Sequence, residues 1–265
     1  MLMRNVFGKF LQDMRRSIIA WAVAVAAVTA MYSAFWPAMA DSAELMDAYV
    51  EAMPEVARAM GWEDMSSPAG YLNATVFGLL APLLMVIAAI AFGTRAIAAD
   101  EEEGKLELVL AHPVGRVSVL LQRFAAVVVA LAVIGLAALA TLLLLEPLLD
   151  LGIGPYHLFA ATATTVLIAL VYGSVALAVG AATGRRSYAL GGAVLLAAIG
   201  YLGNTFALQV EELEWMRFLS PFYYGFDPNP LVNGFDPAYA AVLVAVPVVL
   251  VALGLGAFTR RDIAV

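Results

Sequence analysis

Four consecutive carboxylates, Asp100, Glu101, Glu102 and Glu103, stand in the segment ADEEEGKLELVLAHPVGR, shortly after a long apolar run. Only 13% of the residues are charged, so this is the densest patch of reactive groups in the chain. Carboxylates can ligate metals, exchange protons, or accept charge-assisted hydrogen bonds from a partner. The first role needs companions, and the sequence supplies few. Its only histidines are His112 and His157, and it has no cysteine. A thiolate metal site and a disulfide are excluded, and a histidine metal centre would need two residues expected on opposite faces of a membrane. No metal site is expected.

Two other patterns could carry chemistry. Ser174, in Tyr172-Gly173-Ser174, has the makings of a buried nucleophile, yet no His or Lys lies within any apolar run to act as its base. It reads instead as part of a close-packing stripe with Ala176, Gly180 and Gly184. A phosphate loop requires a hydroxyl after its lysine to hold magnesium. The only Gly-Lys pairs are followed by Phe10 and Leu106. No catalytic residue and no cofactor are expected in this chain. ATP hydrolysis, and the ATP and Mg it uses, would belong to another protein.

The elements that must position these residues follow from composition. With 265 residues, 63% of them apolar, and a mean hydropathy of +0.91, the chain lies outside the range of soluble domains. About 20 apolar residues cross a bilayer as a helix. Six runs qualify: Ile18 to Ala38, Leu72 to Ile97, Val119 to Leu145, Leu158 to Ala182, Tyr188 to Leu208 and Ala238 to Phe258. They are continuous and rich in Ala and Leu rather than alternating, so each must satisfy its backbone as a helix instead of a barrel strand. The fold class is an all-α polytopic membrane protein. No solenoid period or Pro/Gly/Ser linker divides it, and residues 1–265 form a single domain.

Orientation follows from Lys and Arg at the span ends. Twelve of the fourteen fall on one face when the N-terminus is placed inside; Arg58 and Arg217 fall on the other. Both termini are therefore expected in the cytoplasm, in the cell membrane. The net charge of −7 is concentrated in the exterior loops, where acids contribute little to orientation. It reads as a solvated acidic exterior, with attraction of cationic substrates as the alternative.

Residues 1–17 alternate an apolar face (Met3, Val6, Phe7, Phe10, Leu11, Met14) with a polar one, and read as an amphipathic interfacial helix. Arg15-Arg16, the following apolar run and Ala38-Met39-Ala40 have the outline of a cleaved signal, but the run is longer than a signal core. The loop from Asp41 to Gly70 is polar, with one or two short helices interrupted at Pro54. The last exterior loop is crowded with aromatics, including Trp215, Phe218, Phe222, Tyr223, Tyr224 and Phe226. It is expected to dip back onto the bilayer as a re-entrant segment between the fifth and sixth spans.

The span interiors hold no charge, Arg95 and Arg123 being near enough to the inner ends to snorkel. A transporter of this build has no internal site for a driving proton or ion, so force must come from a separate subunit. Asp100 and the glutamates suit the first turn of a helix, where acids complement the dipole. Leu106, Leu108, Val109 and Leu110 follow, and Pro113 with Gly115 stop it. An exposed short helix bearing acids and leucines suits a protein groove.

These residues resemble the ABC-2 type export permeases, including the antibiotic and multidrug efflux branch. That family carries E-E-x-G-T-L-E-L-L-L and, a few residues on, P-x-S-R. Glu102-Glu103-Gly104-Lys105-Leu106-Glu107-Leu108-Val109-Leu110 and Pro113-Val114-Gly115-Arg116 are similar to it, with Lys105 and Gly115 as departures. The ending Phe258-Thr259-Arg260-Arg261-Asp262-Ile263 also looks like that family's. The resemblance implies a cytoplasmic coupling helix between the second and third spans, within residues 100–116. It would be seated on an ABC ATPase subunit through Glu101, Glu102, Glu103, Gly104, Glu107, Leu108, Leu110, Pro113 and Arg116. It also implies two permease chains, as a homodimer or heterodimer, and two ATPases, with lipid as the surroundings and no nucleic acid.

The cargo is expected to be hydrophobic or amphiphilic, because the bundle offers aromatic, Met, Thr and Ala surfaces but few charges. Phe77, Met85, Thr164, Tyr172, Tyr201 and Asn204 are the candidate lining. Two alternatives remain at this stage: an ABC-2 permease serving assembly or metal-centre maturation, and a channel or secondary carrier independent of any ATPase.

Overall fold

The computed structural model describes residues 6–54, 56–57, 64–207 and 211–261. Expectations touching Met3, Arg4, Asn5, Glu55, Arg58, Glu63, Leu208, Asp262 and Ile263 lie outside the described residues. Within them every regular element is a helix. In order these are α1 (Val6–Ala34), α2 (Trp36–Ala40), α3 (Ala43–Ala52), the long composite α4 (Pro68–Glu102), α5 (Lys105–Leu110), α6 (Arg116–Leu149), α7 (Pro155–Thr183) and α8 (Arg186–Ala207). A 3-10 helix (Glu211–Leu219), α9 (Pro221–Phe226), α10 (Pro230–Asn233) and α11 (Pro237–Arg260) complete the chain. Among the described residues six helices, counting α1 with α2 as one, are long and apolar enough to cross a membrane.

Helix α7 is the axis of the bundle and touches α4, α6, α8 and α11. Its sequence explains why. It carries no Asp, Glu, Lys or Arg, and its small residues let neighbours approach to backbone contact. A Cβ placed on Gly93 of α4 would collide with the Gly173 carbonyl oxygen of α7 and lie 3.1 Å from Ala176 Cβ. Three buried hydroxyls of α7 return to their own helix: Thr162 donates to the Leu158 carbonyl at 2.8 Å, Thr165 to Ala161 at 2.9 Å and Ser174 to Leu170 at 2.7 Å. Ser174 is thus a satisfied packing residue.

Helix α1 is one unbroken rod, about 43 Å long at 1.5 Å per residue. The sequence suggests an interfacial helix ending near Ser17 and a separate span after it; the structure continues the helix through that point. Val6, Phe10, Met14 and Ile18 recur every four residues and are all buried. One apolar stripe therefore serves both segments, while Lys9, Arg15 and Arg16 lie on the exposed side.

Helix α4 is α-helical except at Asn73–Leu80 and Arg95–Ala99, which are wound as wider π turns. Wide turns leave carbonyls without their usual donor. At the first of them, the Tyr201 hydroxyl of α8 donates to the Gly78 carbonyl at 3.3 Å.

Both described ends of the chain meet at one end of the bundle. The Phe7 N–H donates to Gln122 Oε1 of α6 at 3.1 Å. Arg116, at the start of α6, donates to the carbonyls of Phe258 (3.1 Å) and Arg261 (2.5 Å) at the end of α11. This basic end also gathers Lys105, Arg123, Arg185 and Arg186. At the opposite end, α9 enters between the long helices. A Cβ on Gly225 would lie 3.3 Å from Thr164 Cγ2 and 2.9 Å from Ile168 Cγ1, some 14–20 Å along α7 from its first residue.

Candidate functional site

The acidic run lies at the end of α4, not at the start of a helix. Asp100–Glu102 form the last turn of α4, and Gly104, at φ +67°, turns the chain so that α5 starts at Lys105. The expectation of a helix N-terminus is thereby corrected. Acids at a C-terminal turn face the negative end of the helix dipole and need compensation. Consecutive helical residues point about 100° apart, so three in a row address three different neighbours.

Each of the three has found one. Asp100 pairs with Arg123 of α6 at 2.9 Å, with side chains only 12% and 4% exposed. Glu101 pairs with Arg261 beyond α11 at 2.5 Å, the carboxylate side chain 8% exposed. Glu102 accepts from the Arg186 N–H at 2.9 Å, in the first turn of α8, where a carboxylate complements the dipole. Arg123 also donates to the Ala96 carbonyl at 2.5 Å, and its guanidinium lies 5.4 Å from the centre of the Phe10 ring. It does not snorkel, as its position near a span end suggested; it is buried among three helices.

The rest of the segment is exposed except at Leu106, which is buried, and at Gly104, Val109, Leu110, Val114 and Arg116, which are half-buried. Glu103 is exposed and pairs with Lys105; the hydrogen bond from that ammonium holds its carboxyl below the ordinary range. Leu106 is fully buried and anchors α5, whereas Leu108 is 66% exposed. Glu107, Ala111, His112 and Pro113 are exposed, Leu110 half-buried, and His112 Nδ1 lies 2.9 Å from the Leu108 carbonyl. The basic end thus presents a short helix with one apolar residue outward and one as its root. Sequence reading passed over Leu106 as an anchor and Arg261 as the partner of Glu101. The odd–even alternation Leu106-Glu107-Leu108 hid the first, since a helix puts those leucines on different sides.

The candidate lining residues fall into separate places. Tyr172 and Tyr201 both pack on Phe222 of α9, with ring centres 5.4 and 5.3 Å away. Asn204 and Met85 are buried, Met85 in the main core and Phe77 in a second cluster with Trp36, Leu72 and Leu158. Thr164 lines a small cleft with Tyr224, Pro228, Pro230, Asp236, Tyr239, Ala240 and Leu243. The link between α9 and α8 is Ser220, whose hydroxyl donates to the Gly200 carbonyl at 2.7 Å and accepts from the Phe222 N–H at 3.2 Å. Ser220→Ala is expected to cost about 1 kcal/mol, read as a lowered unfolding midpoint of the purified protein.

A search of curated proteins returns no match. The sequence does match the family described as "ABC-2 family transporter protein" over residues 4–263, which takes in all six long helices, α5 and the junction at the basic end. That span of agreement, on a chain whose fold is a bundle of six membrane-length helices, places it among multi-pass membrane proteins. The chain belongs to the ABC-2 family, the membrane components of ABC transporters, which are not themselves catalytic and generally work with ABC ATPase subunits.

Proposed function

We propose that this chain is the permease of an ATP-driven exporter, and that a separate ABC ATPase docks on α5. The observation that carries this reading is the pairing of a buried root, Leu106, with an outward face of Leu108, Glu107 and Pro113 at the end of the bundle richest in arginine. An apolar residue held 66% exposed and flanked by charge has the make-up of an interface centre with a polar rim. Glu103, Glu107, Leu108, Leu110 and Pro113 would contact the ATPase. Glu101, Glu102 and Arg116, which are bonded inside the chain, would brace the helix from behind, and Gly104 would set its angle.

In this reading the basic end is cytoplasmic, as the positive-inside rule requires, and α9 is the re-entrant segment of the exterior side. Two permease chains and two ATPases form the transporter. Closure of the ATPases on ATP displaces α5, and the bundle re-packs between inward and outward access as rigid helices. A hydrophobic or amphiphilic compound passes along surfaces such as Thr164, Tyr172 and Tyr201, which offer hydroxyls and rings.

The test is co-purification in mild detergent from native membranes. The tagged parent is expected to retain a soluble ABC ATPase. Leu108→Asp combined with Glu107→Lys should lower the recovered ATPase at least about tenfold, equivalent to 1.4 kcal/mol of binding, with the permease's own unfolding midpoint unchanged because both side chains face outward. Equal recovery from parent and variant would overturn the docking.

A further inference from the structure

We infer that Glu101 and Arg261 are positioning residues that lock the last long helix, α11, to the end of α4, so that α5 and the C-terminal end of α11 move as one body. Their pairing spans 160 positions in the sequence. It closes a junction in which each part depends on the others. Arg116 holds the last turn of α11 through the Phe258 and Arg261 carbonyls, and its guanidinium lies 5.8 Å from the centre of the Phe258 ring. Phe258 itself is fully buried. The α7–α8 turn lies directly against the ion pair: at Gly184, φ +67°, a Cβ would run into Arg261 Nη1 and lie 2.6 Å from Glu101 Oε1. Glycine is required there both by the left-handed backbone and by the charges against it.

An exposed ion pair at a helix end would contribute little. Here the Glu101 side chain is 8% exposed and that of Arg261 21%, so breaking the pair leaves a carboxylate without its partner in a largely closed site. Only two residues separate Glu101 from the glycine that turns the chain into α5. A displacement of α5 therefore reaches α11 at this junction, through Glu101 on one side of α5 and Arg116 on the other, rather than through the whole length of the bundle. The functional meaning of this lock rests on the docking proposed above; its existence does not.

The lock can be tested on the full-length chain alone in lipid nanodiscs. The sequence has no cysteine, so spin labels on cysteines introduced at Glu107 and Thr259 are its only labels, and both positions are exposed and outside the pair. The parent should give one narrow distance. Glu101→Gln and Arg261→Gln should each broaden it roughly twofold, as local opening of the junction becomes populated. Glu101→Arg with Arg261→Glu should narrow it again. A reference pair at Leu148 and Tyr156, exposed at the opposite end, should keep its width throughout. Single variants as narrow as the parent would overturn the inference, as would broadening at the reference pair or a charge-reversed double variant as broad as the singles. Loss of ATPase recovery from the Leu108 variant is read separately, so a failed lock and a failed docking site give different results.

Discussion

Replacing Arg123 with alanine is expected to destabilise the folded bundle by about 3–5 kcal/mol, the range for removing one partner of a buried ion pair. The pair joins α6 to the last turn of α4 at 2.9 Å, with side chains 4% and 12% exposed. The alanine would leave Asp100 at a helix C-terminus, facing the negative end of the dipole with its salt-bridge partner gone. It would also free the Ala96 carbonyl and remove the guanidinium beside Phe10. The loss should therefore show as loosening of α1 and α4 together. Asp100→Asn in the same chain should recover part of it, because a neutral amide is less costly to bury than an unpaired carboxylate. Denaturant unfolding in micelles measures both. A single variant within about 1 kcal/mol of the parent would contradict the geometry of the junction.

Gly93→Val should have an effect of comparable size for a different reason. Helices α4 and α7 meet at backbone contact in the core. A Cβ at residue 93 would land on the Gly173 carbonyl oxygen and lie 3.0 Å from the carbonyl carbon. The obstacle is backbone, so no rotamer relieves it; the two helices must separate along their length. Overpacking of this kind costs about 1–3 kcal/mol for one added methyl and more for a branched side chain, so Gly93→Ala should fall in that range and Gly93→Val beyond it. The control is Gly191→Ala in α8, where nothing lies within 4 Å of the added carbon. There the change should stabilise the helix by up to about 1 kcal/mol. The same assay reads all three, and equal effects at residues 93 and 191 would contradict the packing described.

Much of this architecture could be read from the chain alone because the bilayer is a demanding solvent. Only a long apolar helix satisfies its backbone there, so the six spans were legible as runs of apolar residues, and the described residues hold six helices long and apolar enough to cross a membrane. Where α1 begins was less legible. Lys9, Arg15 and Arg16 suggest a boundary, yet they sit on the side of a continuous rod opposite Val6, Phe10, Met14 and Ile18.

The acidic run was misread for a related reason. Four acids beside an apolar stretch look alike at either end of a helix, and only Gly104 at φ +67° marks the break. A glycine's φ is not written in its name. The partners Arg123, Arg261 and the Arg186 N–H are 23, 160 and 84 positions away from their acids, and no local pattern pairs them. The resemblance to a family motif therefore located the segment, while the division between outward contacts and internal braces had to come from the folded chain.

In the function proposed above, force enters this permease through α5 from a separate ATPase. Site-specific photocrosslinking in native membranes tests it most directly, with a photoreactive residue at Leu108 and, as the opposite-end reference, at Tyr156, which is 56% exposed. Leu108 is expected to capture an ABC ATPase subunit, identified by mass spectrometry, and Tyr156 is not. A Leu108 probe that captures no ATPase from membranes containing the intact transporter, or a Tyr156 probe that does, would contradict it.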